Sequence, residues 1–383
     1  MSRILVLNAG SSSLKYEVID VAAPEERMGG IVERIGEPES GVADHAAAAR
    51  TVLDSLGDRA PAAVGHRIVH GGTRFVEPTV IDDDVEAAIE ALIDLAPLHN
   101  PPGLAGIRAA RAVLPGVPHV AVFDTAFHAT LPDHAAAYAI DPVVAAEAGI
   151  RRYGFHGTSF AFVARAAAQF LGRPLEDLRM IVLHLGNGAS ACAIDGGVSI
   201  DTTMGLTPLE GLVMGTRSGD IDPGVLLHLA RLGRSADEID DLLNRRSGLA
   251  GLAGSNDLRD VAVAAEFGEP GAVLAIEVML HRIRKYLGAY AAELGGVDAV
   301  VFTAGIGENA GWLRARAVER LGFLGIAVDE QRNGRGEGPR RISPDGSPIE
   351  VLVIPTDEEL EIATQTAHVA LAGEPVRSPR RRT

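Results

Sequence analysis

The chain has 383 residues, 47% of them hydrophobic, more than one core comfortably accommodates and ample for two, so two domains are expected. A net charge of −16 without a basic, aromatic-rich stripe excludes nucleic acid as the main partner, and the single cysteine, Cys192, excludes an internal disulfide or thiolate metal cluster and suits a reducing compartment. No run approaches the roughly 20 apolar residues of a membrane span, and Ile4 to Leu7 is too short for a secretory leader, so a soluble, cytoplasmic protein with no membrane partner is expected.

The first elements are the apolar runs Ile4 to Leu7 and Leu14 to Ile19, which predict a hairpin around a Gly-Ser turn. This is not a P-loop, because Leu14 precedes Lys15 and a strand follows, whereas a Walker A loop ends in Gly-Lys-Ser/Thr and opens a helix. Lys15 is one of only two lysines in a chain with 35 basic residues, and a compact point charge beside such a turn suits a phosphate oxygen. Next, Ala63 to Val69 predicts a strand with Arg67 inside Gly65-His66-Arg67-Ile68-Val69-His70-Gly71-Gly72. A guanidinium there needs an anion, either a structural partner or a substrate. His66 and His70 are four apart, but the HExxH pattern is missing and the paired glycines deny a helix, so no zinc site is expected. A helix over Val85 to Leu95 and a turn at Asn100-Pro101-Pro102-Gly103 precede the strand His119 to Phe123. Asp124 ends that strand, where ligands gather in open α/β sheets or a capping aspartate sits.

Further on, His156 stands beside Gly157 ahead of a helix, Phe160 to Leu171, whose expected cap is Thr158 or Ser159. The hairpin grammar then recurs, with strand residues Ile181 to Leu185, the turn Gly186-Asn187-Gly188, and a returning strand from Ala189 to Ile194. Two copies predict a duplicated fold, and tight glycine turns can hold phosphates from backbone N–H groups, though each copy alone reads equally as an ordinary hairpin. Arg217 lies in the Gly/Thr/Ser-dense loop Gly205 to Gly224; with Arg67 and His156 it forms a donor set suited to a phosphoryl group. A helix spans Gly271 to Leu294, and the strand Ala299 to Thr303 runs into a glycine turn whose Gly305, Gly307 and Gly311 miss the G-x-G-x-x-G spacing by one. Asn333 to Pro348 predicts an exposed loop or hairpin tip. After the strand Ile349 to Ile354, Thr356 and Glu359 form a capping box, which leaves Glu358 as the candidate ligand for Mg²⁺ travelling with nucleotide phosphates. A final helix, Glu359 to Ala372, precedes a basic tail, 375–383, read as a solvated terminus. The expected domains are 1–127 plus 359–383, and 128–358, the second carrying most of the nucleotide site.

In chain order, NAGSSSLK, GHRIVHGG, HNPPG, FDTAFH, YGFHGTS, HLGNGAS, TPLEGLVMGTRSGDIDPG, NDLRD, GIGEN and EEL resemble the acetate kinase family, of the acetate and sugar kinase, Hsp70 and actin superfamily. The resemblance covers nearly the whole chain and implies an α/β, duplicated actin-like ATPase (ribonuclease H-like) fold with two domains around a nucleotide cleft, assembled as a homodimer. It implies reversible transfer of the ATP γ-phosphoryl group to acetate, giving acetyl phosphate and ADP, with Mg²⁺ or in its place Mn²⁺. Asn8 and Glu358 would hold the metal and Lys15 a nucleotide phosphate. Arg67 would bind the acetate carboxylate, while Val69, Leu98, Phe155 and Pro208 would take its methyl group. Asp124, His156 and Arg217 would be catalytic. His184, Leu185, Gly186, Asn187, Gly188, Asp257, Leu258, Arg259, Gly305, Ile306, Gly307, Glu308 and Asn309 would form the nucleotide site.

Two departures from the family pattern stand out. Asp357 replaces the usual asparagine, adding a charge expected to alter metal affinity, and the region 37–49 is short, which is not expected to reach the catalytic loops. Because a carboxylic acid is already ionised near neutral pH, Asp124 is expected to orient Arg67, His156 or metal-bound water, with direct in-line transfer. The nearest rival is a kinase for propionate or butyrate, since one methylene is worth only about 1–3 kcal/mol in an apolar pocket. A nucleotide-driven clamp, or a phosphate-ester or polyphosphate hydrolase on the same fold, are the rivals from other classes.

Overall fold

The apolar runs of the first hairpin become β1 (Arg3–Ala9) and β2 (Ser13–Asp20), antiparallel with Asn8 opposite Lys15, in a computed structural model that describes residues 3–10, 12–37, 40–57 and 60–372. The strands β3 (Arg27–Glu33), β4 (Ala63–Ile68), β5 (Thr79–Val80) and β6 (His119–Phe123) complete a six-stranded sheet in the order β3-β2-β1-β4-β6-β5. In it β1, β4 and β6 run parallel while β2, β3 and β5 are antiparallel to their neighbours. A second sheet contains β7 (Arg179–Leu185), β8 (Ala189–Asp195), β9 (Val198–Thr202), β10 (Ala299–Thr303), β11 (Arg340–Arg341) and β12 (Glu350–Val353). Its order, β9-β8-β7-β10-β12-β11, repeats the first with the same parallel trio and the same antiparallel edges. The duplication expected from the two hairpins therefore extends to the whole sheet.

Both faces of the central strands are covered, which is why they read as unbroken apolar runs rather than alternating ones. Leu5, Leu7 and Val64 pack with Ala48 and Val52 of the helix His45–Leu56, while Ile4, Val6, Ala63 and Val122 pack with Ile362 and Ala363 of the closing helix Glu358–Ala372. That helix lies so close to β4 that a Cβ on Gly65 would sit 2.4 Å from Thr366 Oγ1. Two compact units result. One comprises the described residues of 3–129, 155–159 and 357–372; the other comprises 130–154 and 160–356. Among the described residues no helix is long and apolar enough to cross a membrane. The basic tail 375–383 lies outside the described residues.

Several local expectations need correction, among them the turn at Asn100-Pro101-Pro102-Gly103, which is the start of a helix, Asn100–Val113. The predicted helix over Val85 to Leu95 is a helix at Asp83–Glu90 and a separate 3-10 turn at Ile93–Leu95, and the first is capped by Asp82 Oδ1 accepting from Val85 N. The helix before Leu171 starts at Gly157, so Thr158 and Ser159 lie inside it instead of capping it. The capping box at Thr356 does not form: Asp357 Oδ1 accepts from Leu360 N at 3.0 Å, and Glu359 turns away to Lys15. The glycine turn after β10 is a short helix, Ala304–Asn309, entered through Ala304 at φ 63°. The segment 333–348 does contain a hairpin return, β11 against β12, but Asn333, Ile342 and Ser343 within it are buried.

Candidate active site

The parallel strands of the first unit end together, and their carboxyl ends carry Asn8 on β1, Arg67 on β4 and Asp124 just beyond β6. Arg67 Nε donates to Asp124 Oδ1 at 3.1 Å and its Nη2 to Oδ2 at 2.7 Å, a fork-to-carboxylate pair that fixes the guanidinium plane. The same Nη2 lies 3.7 Å from Glu358 Oε2. Thr158 Oγ1 sits 3.5 Å from Asp124 Oδ1 and 3.2 Å from Glu358 Oε2, and so links the two acids. Among the described residues Arg67 Nη1 makes no hydrogen bond. Burial raises the Asp124 carboxyl above the ordinary aspartate range against the pull of Arg67. Burial opposes the charge of Arg67 too, but Asp124 and Glu358 more than offset it, so the guanidinium is held protonated.

Backbone constraints bring 155–159 into this unit. Gly157 N donates to Asp124 O at 3.0 Å, and a Cβ at Gly157 would lie 2.1 Å from that oxygen, so only glycine permits the approach. His156, half-buried, takes φ 58°, a left-handed conformation that costs of order 1–3 kcal/mol and gathers at functional sites. Two further residues brace the β4 loop. Asn100 Oδ1 accepts from His70 N at 3.1 Å while its Nδ2 donates to His70 O at 3.0 Å, and Thr125 Oγ1 accepts from Gly71 N at 3.0 Å. Thr158, Asn100 and Thr125 escaped the sequence reading as parts of the site. Thr125 had a signal, a polar side chain just beyond an apolar strand end, where burial obliges it to find a partner, whereas Asn100 and Thr158 stand at helix starts and had none. Of the expected methyl pocket, Phe155 is buried with its ring edge-on to His70, Val69 is half-buried and Leu98 is 46% exposed. Pro208 belongs to the other unit.

Around Lys15 the charges interlock. Its Nζ pairs with Glu359, and although burial opposes the ammonium charge, Glu359, Glu17 and Glu358 raise its pKa overall. Arg27 Nη1 lies 2.8 Å from Asp357 Oδ2. The extra charge at Asp357 is therefore tied to Arg27 and to the helix N-terminus. The short region 37–49 does reach a site loop, since His45 Nε2 donates to Gly10 O at 2.9 Å in the first hairpin turn. Asn8 is opposite Lys15 in the hairpin register and the Glu358 charge is felt at Lys15. An amide and a carboxylate oxygen in one neighbourhood are hard donors of the kind that fit Mg²⁺ when nucleotide phosphates and water complete its shell.

In the second unit a cavity of about 660 Å³, within the range of small-molecule sites, is lined by Gly186, Asn187, Asp257, Leu258, Arg259, Gly305, Ile306 and Asn309. Asn256, Ala310 and Trp312, which the motif reading did not include, line it as well. Asp257 caps its helix and clasps the Arg259 guanidinium, whose hydrogen bonds hold the Asp257 carboxyl down to about 2. His184, Leu185, Gly188, Gly307 and Glu308 are not in the lining: His184 and Leu185 are buried in β7, and Glu308 Oε1 accepts from Thr356 N at 3.3 Å. The short helix Ala304–Asn309 is held from behind by Arg314, fully buried, whose Nη1 donates to Gly307 O and Glu308 O at 2.8 and 2.9 Å. Burial lowers the Arg314 pKa to about 10.

The loop Gly205 to Gly224 is anchored at its middle and at Asp220. Gly215 N donates to Asn187 O at 2.9 Å, joining it to the hairpin turn, and Asp220 accepts from Gly211 N and from Tyr286 Oη. Arg217 in this loop donates through Nη1 to Pro208 O at 3.0 Å. Among the described residues it meets no carboxylate, and burial lowers its pKa.

This geometry agrees with what the chain resembles. A family model described as the Acetokinase family matches residues 3–364. The chain is 58% identical over 390 residues to the acetate kinase of Clavibacter michiganensis, covering 96% of this chain and 98% of that one. It is 56% identical over 397 residues to that of Leifsonia xyli, covering 97% and 100%. Among solved structures, Porphyromonas gingivalis acetate kinase superposes with a TM-score of 0.91 at 42% identity, covering 96% of this chain and 100% of that one. A propionate kinase from Francisella tularensis gives 0.90 at 42%, with the same coverage. From residue 3 to residue 364, in sequence and in fold, this chain belongs to the acetokinase family.

Proposed function

We propose that this chain reversibly transfers the γ-phosphoryl group of ATP to acetate, forming acetyl phosphate and ADP. The observation that carries the reading is Arg67, one edge of its fork held by Asp124 and Nη1 left for a second carboxylate. A clamp or a phosphate-ester hydrolase has no use for such a group. Acetate is ionised at neutral pH and needs no base, so Asp124 serves by orienting Arg67. Val69, Leu98, Phe155 and Pro208 take the methyl group. Transfer is direct and in line, a reaction in which positioning and charge neutralisation outweigh covalent chemistry. His156 and Arg217 supply that neutralisation; a half-buried arginine without a carboxylate is suited to an anion that arrives with substrate. The cavity of the second unit takes the nucleotide, and Lys15 contacts its phosphate. Asn8 and Glu358 would hold Mg²⁺, which when bound neutralises phosphate charge. The working form is a homodimer. In support, the helices Pro142–Glu147 and Pro223–Arg231 bury none of their residues in the single chain and leave Val143, Val144, Leu227 and, just after the second, Leu232 exposed.

A second reading, propionate as acceptor, is favoured by the equal likeness to the propionate kinase structure. ADP release from Mg-ATP, measured with acetate, propionate or butyrate while hydroxylamine traps acyl phosphate, decides. Acetate-dependent ADP matched by hydroxamate is expected, with the highest kcat/KM for acetate. A higher value for propionate would replace the acceptor, and ADP release indifferent to every acid would leave the clamp or hydrolase.

A further inference from the structure

We infer that Trp312 is the platform on which the nucleotide base stacks, so that the site selects purine over pyrimidine nucleotides. This deepens the kinase reading and rests on it. Trp312 is the sole tryptophan of the chain and is 38% exposed. On a cavity wall an indole offers a flat apolar face to a ligand ring. It lines the same 660 Å³ cavity as Gly305, and the helix Ala304–Asn309 separates the two. At 1.5 Å per residue that helix spans about 9 Å, a span suited to a ligand with phosphates at one end and a flat base at the other. At the Gly305 end the space is open, since a Cβ built there would meet no atom within 4 Å. Ile306 and Ala310, one helical turn apart, add apolar side chains to the same lining.

Asn309 Nδ2 donates to Gly305 O at 2.8 Å, and Arg259 Nε and Nη2 are held by Asp257. Stacking on the indole grows with ring area, which favours the larger purine ring.

Because no other tryptophan is present, emission excited at 295 nm reports this residue alone. ADP and GDP titrated into the whole protein are expected to quench it saturably, at concentrations matching calorimetric binding, while UDP does so only weakly and inorganic pyrophosphate leaves it unchanged. Trp312→Ala is expected to raise KM for ATP about tenfold or more, a loss carried by KM rather than kcat and absent from KM for acetate, and Trp312→Phe to recover most of it. Calorimetric binding of ADP without any change in emission, or a Trp312→Ala enzyme with unaltered KM for ATP, would overturn the platform while leaving the kinase standing. Calorimetry that finds no nucleotide bound at all would instead overturn the kinase reading, and the platform with it.

Discussion

Arg67 carries the clearest consequences at the scale of single residues. Its need for an anion was legible in the sequence, because a guanidinium cannot sit in an apolar strand alone. That the first anion is Asp124 was not, since 57 positions separate them. Arg67→Lys keeps the charge but cannot make both contacts, so kcat/KM for acetate is expected to fall 100-fold or more, about 3 kcal/mol or greater, with most of the loss in KM for acetate; steady-state kinetics in both substrates checks this. Asp124→Asn keeps the shape and removes one of the two carboxylates beside the half-buried Arg67, leaving Glu358 at 3.7 Å, at a cost of order 1–3 kcal/mol visible as a lower midpoint in urea. If Asp124 orients and does not accept a proton, the residual rate of that variant keeps the wild-type dependence on pH. Thr158 was read as a helix cap because hydroxyls favour that position, but the helix begins one residue earlier and its hydroxyl lies between two acids.

Among the elements, the hairpins and parallel strands were the legible part, since alternation and unbroken apolar runs each have a direct structural cause. Side-chain pairs within those strands were not. His66 on β4 and His119 on β6 lie side by side, buried, with rings 5.2 Å apart. His119 Nε2 donates to Leu114 O at 3.1 Å, so its Nδ1 is the acceptor for His66 Nε2–H at 2.9 Å and both rings are neutral. Burial lowers both pKa values, with Arg111 adding to the effect. The unfolded chain takes up these protons around its ordinary value of 6.5, whereas the folded chain resists them. Stability is therefore complete above that pH and declines as the pH falls below it, by about 1.4 kcal/mol for each unit of depression. Thermal midpoints between pH 8 and pH 5 should show this decline, and His119→Gln should flatten it.

For the whole molecule, one sheet topology occurs twice, and in each copy the ends of the parallel strands are where the candidate residues collect. The first copy is completed only by the closing helix, whose Ile362 and Ala363 fill the face of β1, β4 and β6 opposite the helix His45–Leu56. Glu358 opens that same helix, so the candidate metal ligand and the residues that close this face of the core arrive in one element. The exposed apolar side chains of the second copy set the remaining expectation. Leu232 is 69% exposed, and Leu232→Glu should shift the light-scattering mass from dimer toward monomer, with the far-ultraviolet circular dichroism unchanged.

By itself the sequence determined the alternation of strands and helices, the duplicated hairpin, the glycine-rich loops and the family, because local propensity and motif spacing are properties of neighbours along the chain. Only the tertiary structure decided that Asp124 holds Arg67, that Asp357 is balanced by Arg27, that Lys15 is paired with Glu359, and that Trp312 faces the cavity. Those pairings join residues tens to hundreds of positions apart, and a buried charge is settled by whichever partner the packing brings within reach, a matter on which spacing along the chain carries no information.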